Sequence, residues 1–319
     1  IRLTLPAPSM TTLLFTHEDC LLHQPGPDHP ESPHRLEAVL QALRTPEFTS
    51  LRWEEAPMGE TSQVERVHTK SYVDAVRRAA PRHGYCVLDA GDTVMSPGTW
   101  NAVMRCVGAA CASVNAVVSG QATNAFCATR PCGHHAEADR AMGFCVFNQA
   151  AIAALHARHA HGLKRVAVVD FDVHHGNGTQ HTFERDPDLF FASSHQSPFY
   201  PGTGSRSERG VANNIVNIPL ERGTGSATFR RLMREELLPA LDTFAPELLI
   251  ISAGFDAHEL DPLGGLALTN DDYGWITQEL LAVASAHARS RVVSTLEGGY
   301  STEGLAQGVA AHVRALAQG

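Results

Sequence analysis

The sequence lacks the cysteine pattern of a disulfide framework or of a cysteine-rich zinc site. Its seven cysteines are an odd number, and no two of them form a CxxC pair. Short, regular cysteine spacings are typical of both kinds of cross-linked domain. We therefore expect reduced thiols in a cytoplasmic protein, and no metal site built from cysteine.

The chain also lacks a long apolar run. No stretch approaches eighteen consecutive apolar residues, so no membrane-spanning helix is expected. Residues 1–10 contain no charged start followed by an apolar stretch, so they do not resemble a signal peptide. We interpret residues 1–9 as a remnant upstream of a natural start at Met10, and residues 10–319 as one domain.

The chain has fewer basic residues than acidic ones. The chain of 319 residues has 25 lysines and arginines against 34 aspartates and glutamates, a formal net charge of −9. Such a surface has no general attraction for nucleic acid or for an anionic membrane, and it favours cationic peptides or amines at short range. Hydrophobic residues make up 43% of the chain, which is enough for a large core, and the composition leaves oligomerisation open.

Apolar runs alternate with helical patterns along the chain. The runs have the character of buried parallel strands, and they lie at 13–15, 125–128, 166–169, 189–192, 248–251 and 292–296. Helical spacing recurs at 100–114 and within 148–161, 228–244, 271–287 and 302–316. Stretches rich in Pro and Gly, at 24–33, 197–210 and 260–265, indicate loops. The alternation predicts a single α/β domain with a parallel sheet sandwiched by helices.

Residues whose side chains can bind a metal or take part in catalysis follow four of the predicted strands. They occur at 133–135, 170–175, 254–256 and 297–300. Ligands of open parallel sheets bind beyond the carboxyl ends of the strands. We therefore expect these four segments to converge on one edge of the sheet.

Asp172 and His174 are two residues apart after one strand, and Asp256 follows another. On an extended segment the first two side chains point the same way, so one carboxylate and one imidazole can bind one ion. Asp256 can supply a third ligand and leave positions open for water and substrate, as a catalytic zinc requires. An isolated Asp-x-His is more often a helix cap beside a packed histidine, so the neighbouring segments decide the interpretation.

Three further groups can serve a hydrolytic reaction. His134 and His135 are adjacent in a predicted tight turn, where they could act as the base for water and the acid for a leaving amine. Tyr300 follows two glycines, and its phenol could donate to an oxyanion. Asn177 suits a loop, where it could fix the tautomer of an imidazole. Each group alone is also compatible with a purely structural role.

Seven motifs together resemble the histone deacetylases and occur in the order of that family between about His17 and Tyr300. They are RPCGHHA at 130–136, GFCVFN at 143–148, DFDVHHGNGTQ at 170–180, YPGTG at 200–204, SAGFDAH at 252–258, DPLGG at 261–265 and EGGY at 297–300. Asn177 and the segment 254–257 resemble class II enzymes and bacterial histone deacetylase-like amidohydrolases. The resemblance implies an arginase/deacetylase fold and hydrolysis of N-ε-acyl-lysine amides by metal-activated water.

The resemblance also implies roles for the residues of the site. Asp172, His174 and Asp256 would bind one zinc ion. His135 would be the general base, with His134 as its electrostatic partner or acid. Asp170 would hydrogen-bond His134, Asn177 would orient His135, and Tyr300 would polarise the scissile carbonyl. Some class II relatives carry His in place of this Tyr and are poor deacetylases, so Tyr300 favours an active enzyme.

Binding residues outside the zinc site are implied as well. Gly143, Phe144 and Tyr200 would line a tunnel for the acyl-lysine stem, with Tyr200 where Phe is common. Leu263 would lie at the gate and Asp92 at the rim. A structural potassium ion would be bound by Asp170, Asp172, His174, Ser193 and Ser194. A second cation would lie near Phe183, Asp186, Leu189 and Asn214.

Three alternatives stay open at this point. An acetylpolyamine hydrolase of the same superfamily would place glutamate at the gate, where this sequence has Leu263, and the sequence has no long insertion narrowing the entrance. A non-catalytic acyl-lysine-binding protein would not need the intact ligands, histidines and Tyr300. A two-manganese ureohydrolase would need additional bridging carboxylates. An acyl-lysine peptide or protein is the expected partner.

Overall fold

A parallel eight-stranded sheet forms the centre of the structure, which is a computed structural model describing residues 11–319. The strands are β1 (Thr12–Thr16), β2 (Arg52–Glu55), β3 (Cys86–Val87), β4 (Val94–Met95), β5 (Asn124–Cys127), β6 (Val166–Asp170), β7 (Leu189–Gln196), β8 (Ile215–Leu220), β9 (Leu248–Ala253) and β10 (Val292–Leu296). The large sheet has the order β2-β1-β5-β10-β9-β6-β7-β8, and β3 and β4 form a separate antiparallel pair. Residues 1–9, interpreted above as an upstream remnant, and Met10, interpreted as the natural start, lie outside the described residues.

Helices cover both faces of the sheet. They are α1 (Pro33–Leu43), α2 (Thr61–Val64), α3 (Lys70–Ala79), α4 (Thr99–Ser119), α5 (Gln149–His161), α6 (Asn177–Phe183), α7 (Ser226–Leu232), α8 (Leu238–Phe244), α9 (Asn270–His287) and α10 (Thr302–Gln318). A π-helical segment, Met233–Leu237, joins α7 to α8, and 3-10 turns occur at Glu18–Leu21 and Pro46–Phe48. The predicted fold class, a parallel sheet sandwiched by helices, is confirmed.

Strand side chains alternate between two cores. In β6, Val166 and Val168 pack with α4 and α5 on one face, whereas Ala167 and Val169 pack with α1, α9 and α10 on the other. This two-residue period is a property of strand geometry. Because both faces are buried, the central strands are apolar throughout, which is why the sequence reveals them.

The two edge strands were not among the predicted strands. β2 has the sequence RWEE, in which no residue is fully buried, and β8 contains Pro219. An edge strand is partly solvated and tolerates a proline, so neither strand has the continuous apolar run of the central strands. The prediction of a loop at Asn177 is wrong, because this residue begins α6.

Helix α4 is long and apolar enough to cross a membrane by length and composition alone. In the structure, 72% of its apolar window is buried, and it packs against α5 and β5. This burial is typical of a core helix. A helix that is buried on most sides is apolar around most of its circumference.

A buried ion cluster ties the segment before α1 to the carboxyl end of the sheet. Glu31 accepts hydrogen bonds from Arg35 Nη1 at 2.8 Å and from Arg130 Nη2 at 2.5 Å, and all three side chains are buried. Arg35 also donates to the carbonyls of Glu297 and Gly299 at 2.6 and 2.5 Å. The Arg130 charge opposes the burial penalty and holds the pKa of Glu31 well below its usual range.

We expect Glu31→Ala to lower the free energy of unfolding by about 3–5 kcal/mol, because it leaves two buried guanidinium groups without their carboxylate. Urea denaturation measures this value. As the control, Glu47→Ala removes an exposed ion pair with Arg314 and is expected to cost about 0–1 kcal/mol. Equal effects of the two substitutions would contradict a structural role for the cluster.

Candidate active site

Four neighbouring strands, β5, β10, β9 and β6, bring the predicted chemical segments together. All four are parallel, so their carboxyl ends lie at the same edge of the sheet. The segments 133–135, 297–300, 254–256 and 170–175 follow these strands in that spatial order. The convergence expected from the sequence is therefore present.

The three expected zinc ligands form a compact cluster. Ligand atoms of Asp172, His174 and Asp256 all lie within 4.8 Å of one another. His174 Nδ1 is 3.1 Å from Asp172 Oδ1 and 3.2 Å from Asp256 Oδ2. Both carboxylates are fully buried, whereas the His174 side chain is 13% exposed.

Glycine at position 298 is required by this cluster. A side chain there would collide with the carboxylates of Asp172 and Asp256. The backbone N–H of Gly298 instead donates to Asp172 Oδ2 at 2.8 Å. The first glycine of the Gly-Gly-Tyr segment thus lets the backbone after β10 contact Asp172 and Asp256 directly.

His134 is held in its charged form. Its Nδ1 lies 2.9 Å from Asp170 Oδ2, and its Nε2 lies 3.8 Å from Asp172 Oδ1. Burial opposes the charge, but the two carboxylates raise the pKa of His134 well above its usual value. The backbone N–H groups of Gly133 and His134 donate to Glu297 Oε2 at 2.7 and 3.2 Å, which fixes the turn.

His135 is held in its neutral form, with a defined tautomer. Burial and the nearby charges of His134 and His174 lower the pKa of His135 well below its usual value. Its Nδ1 lies 2.8 Å from Asn177 Oδ1, and Asn177 Nδ2 donates to Glu137 Oε1 at 2.7 Å. Since an amide oxygen only accepts, Nδ1 carries the proton and Nε2 carries the free lone pair.

Contacts to both its backbone and its ring hold Tyr300 in position. Its N–H donates to Asp261 Oδ2 at 2.6 Å, and Asp261 Oδ1 accepts from the N–H of Leu263 at 2.9 Å. The guanidinium carbon of Arg35 lies 4.8 Å from the centre of the Tyr300 ring, and the Phe144 ring is 5.9 Å away. Asp261 therefore connects the predicted gate loop to the backbone of Tyr300.

The predicted tunnel residues Gly143 and Tyr200 lie against His135, and Phe144 lies beside Tyr300. The Tyr200 ring meets His135 edge-on at 5.1 Å, and a side chain at position 143 would collide with His135. Gly143 and Phe144 both have positive φ, 56° and 66°. A non-glycine residue with positive φ has a strained backbone, so the contacts around Phe144 must stabilise this conformation.

Asp92 lies on the loop between β3 and β4, beside the tunnel residues. Asp89 Oδ1 accepts the N–H groups of Gly91, Asp92 and Thr93, each at 3.0 Å, and so orders this loop. Thr93 Oγ1 accepts the N–H of Phe144 at 3.1 Å. Burial, followed by the hydrogen bond and charge of Asp89, raises the pKa of Asp92.

The residues expected to bind potassium lie on β6, β7 and the segment that follows β6. Asp170 and Ser193 are direct neighbours in the register of these strands, and Asp170 Oδ1 accepts the N–H of Asp172 at 3.0 Å. Ser193 Oγ lies 2.9 Å from His195 Nδ1. The geometry gathers the expected residues, and potassium binding stays a prediction.

The region predicted to hold a second cation contains the side-chain amide of Asn214. Asn214 Nδ2 donates to the carbonyls of Phe183, Asp186 and Leu189 at 3.0, 3.1 and 2.8 Å. One NH₂ group has two hydrogens, so it cannot fully satisfy three carbonyl oxygens. The second cation therefore stays a prediction.

Sequence reasoning assigned no role to Glu297, Asp261, Glu137 or Phe199. Glu297 and Asp261 anchor the loops of His134 and Tyr300, Glu137 orients Asn177, and Phe199 stacks on His174 with ring centres 5.1 Å apart. Each lies within three residues of a predicted site residue. Proximity in sequence to a chemical motif was the available signal, but the contacts themselves depend on the fold.

A parallel sheet whose carboxyl edge combines an Asp-His-Asp cluster with one neutral and one charged histidine is suited to metal-assisted hydrolysis. Comparison with known proteins agrees with this class. The Histone deacetylase domain family matches residues 29–316. The chain therefore belongs to the histone deacetylase family, and it is a hydrolase of that family.

Two relatives and one solved structure illustrate the likeness. The chain is 35% identical to the histone deacetylase-like amidohydrolase of Pseudomonas aeruginosa, over 91% of this chain and 82% of that protein. It is 36% identical to the human polyamine deacetylase HDAC10, over 96% of this chain and 48% of that protein. The crystal structure of the HDA15 HD domain superposes with a TM-score of 0.92 at 33% identity, covering 97% of this chain and 89% of that one.

Metal affinity is predicted to fall as the pH is lowered. Burial opposes the charge on His174, but hydrogen bonds to Asp172 and Asp256 raise its pKa to about 10, so a bound ion must displace a proton at pH 7. Burial and the Asp172 charge raise the pKa of Asp256 to about 7, which adds a second proton in more acidic solution.

Zinc affinity should therefore drop about tenfold per pH unit between pH 8 and 7, and more steeply below pH 7. Competition with a zinc-binding dye at each pH measures this in the Cys132→Ser variant, in which the buried thiol pair Cys132 and Cys145 cannot bind zinc. A blank titration corrects for protons bound by the dye. An affinity independent of pH would show that the cluster does not hold the ion.

Proposed function

We propose that this protein hydrolyses the amide of N-ε-acyl-lysine, using one zinc ion held by Asp172, His174 and Asp256. The observation that carries the proposal is the convergence of three ligand atoms within 4.8 Å, beside a neutral His135 and a charged His134. Two carboxylates and one imidazole suit zinc and leave coordination positions for water and substrate. When bound, the ion would polarise the acyl carbonyl and increase the acidity of water.

His135 is the general base of this proposal. Its free Nε2 accepts a proton from the attacking water, because its Nδ1 proton is committed to Asn177. The lowered pKa keeps the ring neutral at pH 7 and therefore able to accept. Glu137 supports this role indirectly by fixing which end of the Asn177 amide faces the ring.

His134 is the general acid. Asp170 holds its Nδ1 proton, and the raised pKa keeps a second proton on Nε2 at pH 7. This Nε2 proton passes to the lysine nitrogen as the carbon–nitrogen bond breaks, so the amine leaves neutral and the acyl group leaves as a carboxylic acid. The acid then gives its proton to the amine, which yields carboxylate and ammonium, and exchange with solvent returns the His135 proton to His134. The two adjacent histidines thus divide the acid and base tasks through their different surroundings.

Tyr300 stabilises the oxyanion by donating from its hydroxyl. We expect Tyr300→Phe to lower kcat by about 10²–10³ or more while zinc content is unchanged, since the substitution removes one preorganised donor. Turnover of an acetyl-lysine peptide, together with metal analysis, measures both quantities.

The matched control is Tyr273→Phe. Its hydroxyl is buried and makes no hydrogen bond within residues 11–319, so its removal should leave turnover near the wild-type value. Near-normal turnover by Tyr300→Phe would refute the role of Tyr300, whereas an inactive wild-type protein would refute the proposed function.

A second candidate substrate is an acetylpolyamine, favoured by the similarity to a human polyamine deacetylase. Leu263 at the gate supports the peptide substrate, because an apolar residue gives no counter-charge for the additional ammonium of a polyamine. A two-manganese site has less support, since residues 11–319 bring one set of three ligands together at this position. We further propose that Asp92 lies at the rim and that Gly143, Phe144 and Tyr200 line the acyl-lysine tunnel.

Leu263→Glu is expected to raise kcat/KM for acetylspermidine relative to an acetyl-lysine peptide by about tenfold, because one favourable charge pair contributes about 1 kcal/mol or more. Wild type should prefer the peptide. Leu263→Gln is the matched control, since it has a similar shape without the charge. A ratio that is the same in all three proteins would show that the gate residue does not select the substrate.

A further inference from the structure

Two cysteines and a glutamate meet behind the histidine turn. Ligand atoms of Cys132, Cys145 and Glu297 all lie within 4.8 Å of one another, and the two Sγ atoms are 3.3 Å apart. All three residues are buried, and both cysteines are free thiols. The cluster shares no residue with the Asp172–His174–Asp256 cluster.

The fold, and not sequence spacing, creates this cluster. Cys132 follows β5, and Cys145 follows the turn at Gly143 and Phe144. Glu297 comes directly after β10, which is the neighbour of β5 in the sheet. Cys132 Sγ also lies 3.8 Å from the carbonyl of Gly143. The absence of a CxxC pair led to the expectation of no cysteine-based metal site, and this geometry argues against that expectation.

The donor set matches a thiophilic divalent ion. Thiolates select zinc and its heavier relatives over magnesium or calcium, and a carboxylate is a common third ligand of zinc. Burial, and then the hydrogen bond with Cys132, raises the pKa of Cys145 well above its usual value. A coordinated thiol loses its proton outright, so an ion would replace two buried protons.

The surrounding charge also favours an ion here. Two thiolates, a carboxylate and a divalent cation together carry a net charge of about −1. The adjacent cluster of Arg35, Arg130 and Glu31 has two positive charges and one negative, and Arg35 Nη2 donates to the carbonyl of Glu297. Opposite net charges therefore lie side by side in the buried region, which lowers the cost of burying either one.

We propose that Cys132, Cys145 and Glu297 form a second metal site, for a thiophilic divalent ion such as Zn²⁺. An ion at this site would join the segment of His134 and His135 to the segment of Phe144. The proposal does not depend on the substrate or on turnover.

Cobalt(II) distinguishes the two sites by absorption. The Asp172–His174–Asp256 site contains no sulfur, so only the second site can give thiolate-to-cobalt charge-transfer absorption in the near ultraviolet. Titration of the reduced full chain with Co²⁺ should give two bound ions and this absorption. Cys132→Ser and Cys145→Ser should each bind one ion and lose the absorption, whereas Asp256→Asn should retain it.

Cys106→Ser is the matched control, because Cys106 pairs with Cys20 in a buried site that brings no third ligand within reach among residues 11–319. This variant should behave as wild type. The proposal is overturned by absence of charge-transfer absorption in wild type, by its survival in Cys132→Ser, or by its loss in Cys106→Ser. A Cys132–Cys145 disulfide that persists after treatment with a reductant would also overturn it.

Discussion

Repulsion between buried carboxylates is the constraint on which the rest of the site depends. Asp170, Asp172 and Asp256 are all fully buried at one edge of the sheet. Like charges in such a place are tolerated only with cations or protons beside them. His134 compensates Asp170, and protonated His174 compensates Asp172 and Asp256 until, as we propose, a metal ion displaces its proton. The charge states of His134 and His174 therefore follow from the carboxylates that they face.

Specific contacts position the groups around these carboxylates. Gly298 brings the backbone of the β10 end against Asp172, and Glu297 holds the turn of His134. Asp261 fixes the backbone of Tyr300, and Arg35 packs on its ring. Preorganised dipoles and charges of this kind stabilise a transition state without reorganising during the reaction.

Much of this arrangement could be predicted from the sequence. The six central strands are apolar because both faces are buried, and the polar segments after four of them had to meet at one edge. The edge strands β2 and β8 escaped prediction because they are partly solvated. The link from Glu137 through Asn177 to His135, the Arg35–Glu31–Arg130 cluster and the cysteine pair depend on contacts between distant segments. No local pattern encodes those contacts, because they arise only when the segments pack.

The measurement that tests the central claim most directly is anomalous X-ray diffraction at the zinc absorption edge from crystals of the zinc-loaded protein. We predict a peak between Asp172, His174 and Asp256, about 2.0–2.2 Å from their ligand atoms. The free coordination position of the bound ion should face His135. A peak elsewhere with this cluster empty would contradict the account, as would a cluster closed by its own hydrogen bonds in the presence of excess zinc.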